Sequence, residues 1–428
     1  MSSATTSSFS GSSNSNSNNT TINKSGNVAT FKSTSSTYQT NLTAIDTYGN
    51  TFKVPDYTIK DILSAIPSHC YERRLLQSFS YVFRDIFCMV VLGFVANNYI
   101  QYLPNQYLRA AAWAGYIWCQ GLFGTGIWVM AHECGHQAFS DYGWVNDTVG
   151  WVLHSYLLVP YFSWKYTHGK HHKATGHLTR DMVFVPKTKE QFLEARGAKD
   201  LDDILGDSPF YSLVTLLFQQ FFGWISYLTS NVSGQKYPGK SKFLVNHFNP
   251  NSPLFEKRDY WFILLSDLGL IIQFSILYTW YQKFGLFNFV VNYFVPYVLV
   301  NHWLVFITYL QHSDPQMPHY EASQWTFARG AAATIDREFG FVGKHIFHDI
   351  IETHVLHHYV SRIPFYNARE ASESIKKVMG IHYQYSNENM WVSLWKSARW
   401  CQFVEGDNGV LMYRNVNGFG VDPKKKSK

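Results

Sequence analysis

Apolar residues along this chain gather into four runs long enough to cross a bilayer, which takes roughly 20 apolar residues. They are approximately 86–103, 110–130, 260–281 and 289–310. Short turns separate the first from the second and the third from the fourth, so the pattern predicts two helical hairpins. Between the hairpins lie about 130 residues, in which 148–164 and 211–228 are apolar but are interrupted by His154, Pro160, Gln219 and Gln220. Such segments read as helices lying in the membrane interface. Ahead of the first run, 57–83 alternates apolar and basic residues and is expected to lie along the membrane surface. Residues 1–45 are Ser, Thr and Asn with almost no apolar periodicity, a composition unable to bury enough surface to fold. That tail is expected to be disordered, with no cleavable signal peptide.

Composition agrees with a membrane protein that has a large wet part. Of the 428 residues, 46% are hydrophobic and 18% aromatic, and only 15% are charged. A mean hydropathy of −0.16 excludes a wholly embedded chain. Basic residues mark a side. Lys60, Arg73, Arg74 and Arg84 precede the first run and Lys165, Lys170, Lys173 and Arg180 lie between the hairpins, whereas the two short turns carry only Arg109 and Lys283. By the positive-inside rule the wet part and both termini are cytosolic. The net charge of +6 then reflects that bias and contact with anionic headgroups, since no nucleic-acid motif accompanies it. The sequon at Asn41 stays unmodified on this topology. Cys70, Cys88, Cys119, Cys134 and Cys401 show no paired spacing, so no disulfide framework is expected.

The chemistry lies in three histidine clusters: His132 and His136 in HECGH, His168, His171 and His172 in HGKHH, and His354, His357 and His358 in HVLHH. Residues three or four apart share a helix face, so each cluster can aim its imidazoles at one point. Even numbers of crossings put all three on one side of the membrane. Eight imidazoles exceed what one four- to six-coordinate ion accepts, and two metal ions is the natural count. HECGH alone also matches the HExxH motif of zinc peptidases, in which Glu133 would be the general base. An intramembrane zinc metalloprotease is thus a competing reading, but it leaves six clustered histidines unused. Nitrogen-rich ligand sets without sulfur suit iron that works with dioxygen. An apolar tunnel ending under the metals would hold an acyl chain or sterol in one register.

The second cluster within GWVLHSYLLVPYFSWKYTHGKHHKATGHLTRDMVFVP and the third within HIFHDIIETHVLHHYVSRIPFYNA resemble the membrane-bound acyl-lipid desaturases, and more narrowly the fungal Δ12 (oleate) and ω3 (linoleate) members. The similarity runs from about Tyr57 to Gly418. It implies an all-α integral membrane protein of the endoplasmic reticulum, with four transmembrane helices in two hairpins and a cytosolic helical cap carrying a histidine-rich di-iron site. The implied domains are a disordered tail over 1–45, the desaturase domain over 46–418 and a basic tail over 419–428. Lysines near the end, in Lys424–Lys428, resemble a dilysine retrieval signal.

The resemblance further implies two non-haem iron ions on the eight box histidines plus a ninth. His312, in TYLQHSDP, and His348 both compete for that place, His312 being favoured for its position at the end of the fourth run. Glu133, Asp349 and Glu352, with His348, are expected around the ligands, where carboxylates hydrogen-bond the free imidazole nitrogens. Asp267 lies within the third run, where a carboxylate is functional or partnered by default, and the sequence names no partner. Electrons would come from cytochrome b5 and its reductase, since no HPGG haem-binding segment is present. The implied reaction is O2-dependent introduction of a cis double bond into a phospholipid-linked acyl chain, oleate to linoleate first, with ω3 desaturation or acyl hydroxylation as alternatives on the same scaffold.

Overall fold

The computed structural model describes residues 42–416 except 202 and 205–207. Of the tail expected to be disordered over 1–45, residues 1–41 lie outside the described residues and Thr43–Ile45 form a strand, so the ordered chain begins earlier than expected; the lysines of 424–428 also lie outside the described residues.

Long helices dominate. After β1 (Thr43–Ile45), β2 (Thr51–Lys53) and α1 (Ile59–Ala65) come α2 (Leu75–Tyr99) and α3 (Gln106–Gly135), which together form the first hairpin. The Asn105 side chain accepts the Leu108 N–H and starts α3, supplying one of the partners that a helix N-terminus lacks. Then follow α4 (Gly143–Tyr156), α5 (Tyr161–His172), α6 (Lys189–Glu194) and α7 (Pro209–Ser230). The 148–164 segment, expected as one helix, is two. Leu158 has φ +54° and Pro160 cannot continue the hydrogen-bond ladder, so the chain turns between α4 and α5. α7 opens on Ser208–Pro209 and closes on Asn231 in the left-handed conformation.

The second hairpin is α8 (Tyr260–Phe289), a π-helical turn (Val290–Phe294) and α9 (Val295–His312). Gly285, at φ +80° and ψ 171°, breaks α8, and Trp280 Nε1 donates to Asn288 Oδ1 at 2.7 Å across the bend. Two stretches, 75–102 and 257–312, are long and apolar enough to cross a membrane. The first begins well before the expected residue 86, because the helix carries its apolar face outward past Arg84 and Asp85.

The remainder is compact and less purely helical than the all-α expectation. Strand β3 (Pro318–Tyr320) leads to α10 (Phe327–Ala331), β4 (Asp336–Arg337), α11 (Gly340–His345), α12 (His354–Tyr359), α13 (Phe365–Met379), β5 (Tyr385–Ser386), α14 (Met390–Trp400), β6 (Phe403–Glu405) and β7 (Val410–Arg414). Strands β3, β7 and β6 form an antiparallel sheet, and β4 pairs with β5 in parallel. The main core joins α3, α5, α7 and α9 around Trp128, Trp164, Trp303 and Phe306. Against α9, a Cβ on Gly121 would lie 2.6 Å from Leu299 Cβ, so only glycine permits this approach.

Candidate metal centre

Each histidine box sits where a helix ends or begins. His132 and His136 occupy the last turn of α3, His168, His171 and His172 the last turns of α5, and His354, His357 and His358 all lie on α12. α9 ends at His312. These termini meet in one buried pocket. One donor atom each from His132, His136, His168, His172 and His357 lies within 4.8 Å of the others, and His171, His312 and His358 form a second such group. His354 lies beside the second group, its Nε2 3.1 Å from His312 Nε2. The groups abut, since the His172 and His358 rings stack with centroids 4.2 Å apart.

The donor nitrogens fit cations. His136 Nε2, His357 Nε2 and His358 Nε2 are buried with no hydrogen-bond partner among the described residues, and His168 Nε2 stands 3.0 Å from His132 Nε2 and 3.2 Å from His172 Nε2. Orphaned buried nitrogens are costly unless something positive takes their lone pairs. Burial, reinforced by neighbouring imidazoles, holds His168, His172, His354 and His358 well below the ordinary histidine pKa, and burial takes His357 to about 3. All stay neutral, which is the ligating form. Two nitrogen-rich groups, of five and three histidines with His354 next to the second, can hold two ions.

Around them, the carboxylates differ from expectation. Glu133 Oε2 accepts the Phe365 N–H at 3.1 Å, tying α3 to the start of α13, while Glu133 Oε1 stands 4.0 Å from His132 Nδ1. Asp349 and Glu352 do not reach a box imidazole. Asp349 is taken by Arg369, at 2.9 and 2.5 Å, and Glu352 accepts the Phe339 N–H at 3.1 Å. The backbone kinks just ahead of box three, where His348 and Asp349 both have positive φ, +54° and +58°. Burial pushes Glu352 up to about 8. His348 points to the first hairpin, where its Nε2–H donates to buried Asp85 at 2.8 Å. Asp85 also accepts from Arg84. Asp267 Oδ1 is buried without a hydrogen-bond partner among the described residues.

The group that does orient a box histidine is Asp181, which sequence reasoning missed. Its Oδ1 accepts from His171 Nδ1–H at 2.6 Å, and the same carboxylate accepts the N–H groups of Gly176, Val183 and Phe184. Thr175 is a second, its hydroxyl 3.0 Å from His358 Nδ1 and donating to His171 O. The available clue was position, since both follow HGKHH within a turn-rich stretch. A third orienter, Asp336, accepts the Val355 N–H at 2.7 Å and so caps α12.

A cavity of about 350 Å³ runs beneath this centre. His132, His168, His171, His312 and His354 form its roof, and Trp128, Trp224 and Leu304 are among its apolar walls.

Comparison with known proteins agrees with this geometry. The sequence model of the fatty acid desaturase family matches residues 110–388. The chain is 48% identical over 406 residues to an oleate hydroxylase of Claviceps purpurea, covering 89% of this chain and 85% of that protein. It is 44% identical to a Δ12 fatty acid desaturase of Mortierella alpina, over 85% of this chain and 92% of the relative. With a Δ12 fatty acid desaturase of Arabidopsis thaliana the identity is 45%, over 84% and 92%.

Proposed function

Because the chain belongs to the fatty acid desaturase family and is an oxidoreductase acting on an acyl substrate with O2 and an electron donor, we propose that it converts oleoyl groups to linoleoyl groups by Δ12 desaturation. The observation that carries this reading is the apolar cavity roofed by histidines from both clusters. His132, His136, His168, His172 and His357 would hold one iron, and His171, His312, His354 and His358 the other. His312 is the ninth ligand on this reading, supported by its 3.1 Å approach to His354, while His348 is engaged by Asp85. Bound iron supplies the oxidant that removes hydrogen from an unactivated C–H bond. The protein's part is placement. Trp128, Trp224 and Leu304 hold the acyl chain in register and keep water out, while Asp181 and Thr175 fix the rings of His171 and His358.

We place four crossings, α2, α3, α8 and α9, with the histidine pocket and both termini on the cytosolic side of the endoplasmic reticulum, and the desaturase domain over 46–418. Cytochrome b5 is the electron donor on this reading. The similarity to an oleate hydroxylase favours a second outcome, 12-hydroxylation, in the same pocket. Expression in a yeast that makes only monounsaturated fatty acids, with mass spectrometry of the methyl esters, decides between them. New 18:2 with double bonds at carbons 9 and 12 is expected. A 12-hydroxy product would move the assignment to hydroxylase, and conversion only of added linoleate to 18:3 would move it to ω3. Unchanged lipids with protein and cytochrome b5 present would overturn it.

A further inference from the structure

Three side chains of ligand type meet at another place, outside the histidine pocket. A short 3₁₀ turn, Ser68–Tyr71, lies just ahead of α2 and carries His69 and Cys70, while Glu370 stands on the second turn of α13. His69 Nε2 is 2.8 Å from Glu370 Oε1 and 3.8 Å from Cys70 Sγ, and the three donor atoms all fall within 4.8 Å of one another. Cys70 is buried, whereas His69 and Glu370 are exposed. The group is thus shallow, with its sulfur inside and its nitrogen and oxygen towards water.

The two segments are held together by contacts that do not involve these three side-chain heads. Ile62, Ile66 and Cys70 share a core with Ala371, Ile375 and Met379 of α13. Asn367 Nδ2 donates to Cys70 O at 3.2 Å and to Glu72 O at 3.1 Å. The donors are therefore brought together by the fold.

Their arrangement is not that of an activated thiol. A Cys–His–acid relay uses both ring nitrogens, one facing the thiol and the other the carboxylate. Here thiol and carboxylate face the same nitrogen. With its proton given to Glu370, Nε2 has no lone pair left for the Cys70 S–H. Burial and the Glu370 charge also raise the thiol above its ordinary pKa, the reverse of what a nucleophile needs. Cys70 is in no disulfide. A cation between the three donors would serve all of them at once. Tetrahedral zinc, with bonds of about 2.0 Å to nitrogen and oxygen and about 2.3 Å to sulfur, sets such donors roughly 3.3–3.5 Å apart. The two separations from His69, 2.8 and 3.8 Å, bracket that spacing, and shifts of about 0.5 Å in the exposed side chains would complete it.

We propose that His69, Cys70 and Glu370 bind a zinc ion, with water as fourth ligand, in a site separate from the histidine pocket. A mixed sulfur, nitrogen and oxygen set suits a borderline-soft cation, whereas magnesium and calcium take oxygen. The ion clamps the segment that enters α2 onto α13. That helix starts at Phe365, whose N–H is held by Glu133, and its Arg369 holds Asp349, so the clamp braces the surroundings of boxes one and three from outside.

The test titrates the full-length, iron-loaded protein in detergent with zinc against a chelating dye, and then with cobalt(II) as a spectroscopic probe. One zinc per chain is expected beyond the iron. His69→Ala, Cys70→Ser and Glu370→Gln should each weaken it at least about tenfold, the loss that even an outer partner of a ligand typically causes. Cobalt should give a thiolate charge-transfer band that Cys70→Ser abolishes. Saturating zinc should raise the unfolding temperature of the natural chain and of none of the variants, with iron content the same in all four. His69 and Glu370 are exposed, so loss of zinc in those variants cannot be laid to misfolding. Zinc affinity unchanged by His69→Ala and Glu370→Gln overturns the proposal. So does a cobalt band that persists in Cys70→Ser, or zinc that enters only as iron leaves.

Discussion

At the scale of single residues, Asp181 links the metal pocket to the cavity wall. One carboxylate fixes the His171 ring and accepts three backbone N–H groups, two of them from Val183 and Phe184, which line the cavity. Outer partners of this kind are typically worth 10- to 100-fold in metal affinity or activity. Asp181→Ala is therefore expected to lower iron content, measured by mass spectrometry of the purified protein, and activity by about that factor. Asp181→Asn, which still offers an acceptor to His171, should lose less. His247 carries a pH signature away from the pocket. It is fully buried between Leu228 O and the Thr167 hydroxyl, and burial lowers its pKa to about 4. Above an unfolded value near 6.5 the ring is neutral in both states and titration contributes nothing. Below it the unfolded chain binds a proton that the folded chain refuses, so stability falls as pH drops from 6.5 towards 4. The stability of the natural chain relative to His247→Asn should decline by about 1 kcal/mol between pH 7.5 and 5.5. Thermal unfolding of both at each pH reads this out, and a constant difference would contradict it.

Among the elements, apolar length and histidine spacing were both legible in the sequence. All four apolar runs lie on helices, and each box falls on a helix as its spacing requires. What was not legible depended on backbone turns. Nothing in HDIIETH announces the consecutive positive φ values at His348 and Asp349, nor that His348, Asp349 and Glu352 bond to Asp85, Arg369 and the Phe339 N–H instead of to box imidazoles. Likewise Asp181 and Thr175 reach histidines only because the stretch after α5 folds back, a tertiary event without a periodic trace. The kinked loop is pressed against α3. A Cβ on Gly126 would stand 2.6 Å from Ile346 O, a backbone atom, and 3.0 Å from Asp85 Oδ2, a side chain already held by Arg84 and His348. Gly126→Ala should force α3, with box one, away from the loop that leads to box three. The expected cost is about 2 kcal/mol of stability, typical of overpacking, together with lost iron. Unfolding midpoints and iron per chain check both, and a variant with natural stability and full iron would show that the contact is slack.

For the whole molecule, the arrangement of the described ends bears on the proposed topology. The N-terminal hairpin lies on the sheet that closes the chain: Asn408 Nδ2 donates to Thr43 O and Arg414 Nη2 to Ile45 O, each at 2.7 Å, and the Thr47 hydroxyl donates to Tyr413 O at 2.5 Å. The Tyr413 hydroxyl in turn donates to His312 O at 3.4 Å, beside the metal pocket. Residue 42 onward, the C-terminal strand and all three boxes therefore share one face, which requires an even number of crossings before each box. α3 is not among the stretches long and apolar enough to cross, and the proposed four-crossing topology has it return through the bilayer beside α2. Glycan mapping tests the result. The sequons at Asn41, Asn146 and Asn231 should remain unmodified when the protein is made in microsomes, whereas a sequon on a hydrophilic loop inserted after Pro104, between α2 and α3, should be glycosylated. Modification at Asn41 with none after Pro104 would invert the molecule and place the histidine pocket in the lumen, out of reach of a cytosolic electron donor. Modification at neither would mean that α2 and α3 do not cross, and the pocket would then be supported from one side of the membrane by helices that only dip into it.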